Sequence, residues 1–123
     1  MAKYVQWITH KGVRMLFVNG KGLPEAEYIA AFEELKQEVL KERSSAPVLI
    51  DLSNTSMTQK TTAKAKEVSA AQKAAKVPDA PSAVVGLSKL AKTVAQILNP
   101  GTHYFDTVDQ AKEWLAKEAS KHR

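Results

Sequence analysis

Residues 48–62, VLIDLSNTSMTQKTT, decide the fold of this chain. Val48, Leu49, Ile50, Asp51 and Leu52 form a short run that is apolar except at Asp51. Such a run has no polar side to turn to water. It therefore predicts a strand covered on both faces, as in a parallel sheet. Residues 53–58 are a polar connection, and a helix is predicted from about Thr58 to Lys76.

The segments on either side extend this strand–helix unit. Upstream, Ile29, Phe32, Leu35 and Val39 recur at helical spacing and predict one buried stripe. Pro24 suits the first helical position, where its missing N–H costs nothing. Glu25 and Glu27 at the start, and Lys41 and Arg43 at the end, match the helix dipole. Ser44-Ser45-Ala46-Pro47 closes this helix. Still earlier, residues 4–10 and 13–19 are rich in β-branched and aromatic side chains and flank Lys11-Gly12, which predicts a hairpin. In its second strand Val13, Met15 and Phe17 point one way and Leu16 and Val18 the other, so both faces are apolar.

Downstream, the helix from Thr58 has a mostly small apolar side: Ala63, Ala65, Val68, Ala71, Ala74 and Ala75. Pro78 and Pro81 bracket a connector, and Ala83-Val84-Val85-Gly86 reads as another buried strand. Ser88 is positioned to cap a further helix with Leu90, Ala91, Val94, Ile97 and Leu98 inward, stopped by Asn99-Pro100-Gly101. His103-Tyr104-Phe105 is a short strand, and Thr107-Val108-Asp109-Gln110 is a capping box that opens a last helix. That helix buries Ala111, Trp114 and Leu115 and gives way to a polar tail over residues 119–123. The order β-β-α-β-α-β-α-β-α predicts a single α/β domain. Its sheet is mixed and mostly parallel, with four or five strands and about four helices packed on it.

Charge is unevenly placed. The net charge is +5, yet residues 1–59 and 93–123 are each balanced. Residues 60–92 hold seven lysines against Glu67 and Asp79 and so carry the whole excess. This is either a basic face for an acidic protein, an anionic lipid surface or nucleic acid, or a solvated lysine-rich helix. Lysine without arginine argues against nucleic acid, because arginine makes the bidentate contacts to phosphate and bases.

Several chemistries are excluded or disfavoured. With no cysteine there is no thiolate nucleophile, disulfide or thiolate metal site. His10, His103 and His122 lie far apart, with no pair at the spacing of a helical metal site, and read as surface or hydrogen-bonding residues. Gly86-Leu87-Ser88-Lys89-Leu90 lacks the second glycine of a hydrolase elbow, so Ser88 reads as a cap. Glu33, Glu34, Glu38 and Glu42 are interleaved with Lys36 and Lys41 along one helix, as on a solvated surface. No cofactor and no metal are implied, and the chain reads as a non-enzyme. The remaining candidate site lies beyond the carboxyl ends of the parallel strands, where two helices begin beside lysines. It comprises Ser56, Thr58, Lys60, Thr61 and Lys64 at one start and Ser88, Lys89 and Lys92 at the other.

Four stretches in this order, WITHKGVRMLFV, VLIDLSNTS, SAVVGLSKLAK and FDTVDQAKEWL, are spread along most of the chain and resemble the STAS superfamily. The likeness is to its SpoIIAA-like branch of small bacterial α/β domains, related in fold to anti-sigma-factor antagonists and CRAL-TRIO lipid-binding domains. The resemblance implies a non-enzymatic regulatory or protein-interaction module, with a small-molecule or lipid-binding domain as the alternative. In the antagonist branch, Asp-Leu-Ser at a strand end leads to an Asp-Ser-Ser-Gly-like turn whose serine is phosphorylated. Here Asp51-Leu52-Ser53 fits the strand end, but the later stretch reads Thr58-Gln59-Lys60-Thr61-Thr62, with Thr61 nearest the matching position. A protein partner is expected. The N-terminal residues lack a secretory apolar stretch and no run is long enough for a membrane helix, so the expected location is cytoplasmic. A homodimer is compatible with a domain of this size but is not specified by the sequence.

Overall fold

The computed structural model describes residues 4–42, 47–54, 58–76, 82–86 and 102–121. They form an α/β domain with a five-stranded, mostly parallel sheet. Strands β1 (Val5–His10) and β2 (Val13–Asn19) make an antiparallel hairpin, with Val5 opposite Val18 and His10 opposite Val13. The turn between them has positive φ at both Lys11 (51°) and Gly12 (78°), the backbone of a tight two-residue connection. Strands β3 (Val48–Asp51), β4 (Ser82–Val85) and β5 (Thr102–Phe105) then add in parallel, giving the spatial order β1-β2-β3-β4-β5.

This order never reverses. Each parallel crossover therefore steps in the same direction, and right-handed connections place their helices on one face. Helices α1 (Glu25–Glu42) and α2 (Gln59–Ala74) accordingly pack side by side against that face. Val5, Leu16, Val18, Val48, Ile50 and Val84 meet Tyr28, Phe32, Leu35, Val39 and Val68 there. Helix α3 (Val108–Lys121) follows β5 and covers the other face, where Ala111, Leu115 and Ala116 meet Val13, Met15, Leu49, Ala83 and Val85. All four residues of β3 are buried, as the apolar run predicts.

Several details differ from the sequence reading. In α1, Tyr28 and Ala31 are buried and Ile29 only partly so, because the stripe facing the sheet is centred one residue earlier. Burial pushes the Tyr28 hydroxyl up to about 12. The helix starts at Glu25, and Pro24 contributes the first carbonyl, accepting from the Tyr28 N–H. In α2 the inward line is Thr61, Ala65 and Val68, whereas Ala63 and Ala74 are exposed. Residues 63 and 65 lie about 200° apart on a helix and cannot share a face. Helix α3 runs to Lys121 and Ala119 packs on the second core, so the polar tail is shorter than the composition suggests. The helix expected after Ser88 lies outside the described residues.

The acidic run of α1 does more than face water. Tyr4 donates from its hydroxyl to Glu27 (2.8 Å) and from its N–H to Glu34 (2.9 Å), and the Trp7 indole donates to Glu38 (2.9 Å). These carboxylates, seven and four residues apart, share a helix face and clamp the edge strand β1 and its approach. The Arg14 guanidinium lies 3.7 Å above the Trp7 ring.

At the carboxyl edge the ladder continues past the strands. Gly20 N–H donates to Asp51, Gly22 to Ser53, Leu52 to Val85 and Gly86 to Phe105. Gly86 has φ +86°, and a Cβ there would lie 2.4 Å from Ser53 Oγ and 2.6 Å from its Cα. Gly12 also has positive φ, but nothing lies within 4 Å of its added Cβ. Gly86→Ala should therefore destabilise the protein by about 2–4 kcal/mol and Gly12→Ala by about 1 kcal/mol. Urea unfolding midpoints test this, and equal losses would show that the Ser53 contact carries no penalty.

Candidate functional site

The two strand exits expected to frame a site are neighbours, since Ser53 and Gly86 pack backbone to backbone. Their contact also closes the space between them. In parallel sheets a ligand crevice opens where the strand order reverses and adjacent loops diverge. Here the order runs in one direction through all five strands, and the β3 and β4 exits press together. Asp51, 8% exposed, turns its carboxylate to accept from the Ser53 N–H at 3.0 Å, which tightens the bend.

Helix α2 starts in a reciprocal cap. Thr58 Oγ1 accepts from the Thr61 N–H (3.2 Å), and Thr61 Oγ1 accepts from the Thr58 N–H (2.8 Å) while donating to the Thr58 carbonyl (3.0 Å). This is a capping box in which threonine stands where Glu or Gln is usual. Thr61 is fully buried, so its hydroxyl serves the helix start and is not an exposed acceptor for modification. Thr58 is half-buried and occupied by the same cap. Lys60 is exposed on the first turn, which holds no acidic residue.

Lys64 sits elsewhere. Its ammonium donates to Glu33 (2.6 Å) and Glu67 (2.7 Å), and Lys36 contacts the same two carboxylates at 3.0 and 2.8 Å. Two lysines and two glutamates thus make a closed, neutral quartet between α1 and α2. Hydrogen bonds from Lys64, Gln37 and Lys36 pull Glu33 down to about 2. Glu67 is likewise lowered by Lys36 and Lys64, and both lysines are raised by their carboxylate partners. Lys64 therefore leaves the cationic rim and becomes an interhelical tie. The pairing partners lie 31 residues apart, beyond the reach of any local sequence pattern. Ser56, Ser88, Lys89 and Lys92 lie outside the described residues.

What remains cationic is the exposed surface of α2. Lys60, Lys66, Lys73 and Lys76 are exposed, and no carboxylate among the described residues pairs with them. On the opposite face of the sheet, Lys11, Glu113, Trp114, Ala116 and Lys117 line an open depression of about 360 Å³. Its carboxylate is already engaged: Glu113 accepts from Lys11 (2.6 Å) and pairs with His10 (2.7 Å), and both hold it below the usual carboxylate range. His103 packs against Trp114 with the rings tilted by 35° and their centroids 4.3 Å apart. Among the described residues no group of His, Asp or Glu side chains is placed to hold a metal ion, and no helix is long and apolar enough to cross a membrane.

No protein-family model matches this chain, and no curated protein matches it either.

The quartet has a pH signature. Glu33 has a lower pKa in the fold than its ordinary value of 4.5, so its contribution is complete above that value and fades as pH falls toward about 2. A carboxyl carbon NMR titration should give a Glu33 midpoint well under 4, moving up in Lys64→Met. An unshifted midpoint would mean the quartet does not persist in solution. Thr61→Val removes the buried half of the cap and should cost about 1–2 kcal/mol by urea unfolding.

Proposed function

We infer that this chain is a non-enzymatic, cytoplasmic regulatory or protein-interaction module of the STAS, SpoIIAA-like type that recognises an acidic partner or anionic group. The observation that carries this reading is the uncompensated pair Lys66 and Lys73 on one flank of α2, with Lys76 just past the helix end and Lys60 exposed on its first turn. A surface of one sign on a helix attracts and orients an oppositely charged partner. The α/β order and the four stretches that resemble the family are in keeping with this. A sheet without a reversal of strand order supports recognition on an outer surface over binding in a crevice.

The test is affinity capture with the full chain from its source cells, followed by purification of the captured protein and titration calorimetry. A one-to-one complex whose affinity falls with salt is expected. Absence of any stoichiometric protein partner, with native mass spectrometry showing a co-purified lipid or small molecule, would overturn the reading in favour of a ligand-binding domain.

A further inference from the structure

Charge is sorted across the α1–α2 layer. Toward β1, the α1 carboxylates Glu27, Glu34 and Glu38 are engaged by Tyr4 and Trp7. At the seam between the helices, the quartet neutralises itself. Glu67 is the only carboxylate in α2, and the quartet holds it on the flank that faces α1. The other flank consequently has no acid of its own. Lys66 and Lys73 lie there, seven residues and about 10 Å apart along the axis, and Lys76 follows just past the helix end. All three are exposed.

The surroundings of this row narrow the partner. Ala63, Ala70 and Ala74 are exposed neighbours, so no large apolar side chain stands ready among them to enter a bilayer. No arginine is present in α2 to fork around a phosphate. Short side chains between compact, single-point ammonium charges let another polypeptide approach closely. A helix with carboxylates seven residues apart repeats at the same interval as Lys66 and Lys73. Resting on the reading of the chain as an interaction module, we propose that the Lys66–Lys73–Lys76 flank of α2 docks an acidic helical segment of a partner protein.

The test uses the full chain and a fluorescein-labelled helical peptide carrying glutamates seven residues apart on one face. A scrambled isomer of equal charge, and vesicles of phosphatidylserine and phosphatidylcholine, serve as the competing probes. The wild-type chain should bind the patterned peptide roughly ten-fold more tightly than the isomer, and Lys66→Glu/Lys73→Glu should abolish that preference. Lys21→Glu/Lys117→Glu changes net charge equally at exposed positions elsewhere and should shift affinity less than about three-fold. Lys66→Gln/Lys73→Gln repeats the loss without introducing repulsion, and circular dichroism checks the fold of each variant. Equal losses in both charge-reversal variants, no preference for the patterned peptide, or tighter binding to vesicles would overturn the proposal. A captured partner that still binds Lys66→Glu/Lys73→Glu would sink this surface while leaving the interaction-module reading intact. Failure to capture any partner would sink that reading itself.

Discussion

The whole molecule depends on a parallel ladder that is covered on both faces and continues beyond the strands it joins. β3 is its axis: Leu49 packs under α3, whereas Val48 and Ile50 pack under α1. A strand in this position must satisfy every backbone group within the sheet, because neither face reaches water. The bonds from Gly20, Gly22, Leu52 and Gly86 extend that pairing into the loops. This draws the strand exits together until only glycine fits beside Ser53. The closeness of the exits is thus a cost of completing the hydrogen bonding, and it holds Ser53 against Gly86.

How much of this was legible in the sequence follows from the range of each interaction. The hairpin at Lys11-Gly12, the two-faced strand at residues 13–19, the continuous strand from Val48 and the cap at Thr107 are local, and local patterns reveal them. The cap at Thr58–Thr61 is equally local, but a threonine at its third position disguises the usual motif. The candidate site was only partly legible, because it turns on pairings between segments distant in the chain. Lys64 reads as a member of a basic cluster until Glu33, on another helix, is found beside it. The glutamates of α1 read as solvated until Tyr4 and Trp7 are brought against them. A count of charges by segment places five of the seven lysines of residues 60–92 on α2 and its end but does not tell which of them are engaged.

Together these features favour a surface function. A sheet that adds strands in one direction has no reversal of strand order of the kind that opens a ligand crevice, and among the described residues its second face is covered by a single helix. Lys66 and Lys73 lie on the outer flank of a helix whose inward anchors among the described residues are few: Thr61, Val68 and the partly buried Ala65. Among these residues little apolar area holds α2 to the sheet, and the quartet supplies a tie from the side.

That division of labour makes ionic strength act twice. The side chains of Glu33 and Glu67 in the quartet are 39% and 50% exposed, so dissolved ions reach the tie itself as well as the lysines on the far flank. Counterions at about 0.15 M shorten the reach of exposed charges to about 8 Å. Rising salt would loosen the seat of α2 at the same time as it dims the attraction that α2 offers outward. Posture and adhesiveness of one helix are thereby joined through the surrounding electrolyte, with no moving part between them.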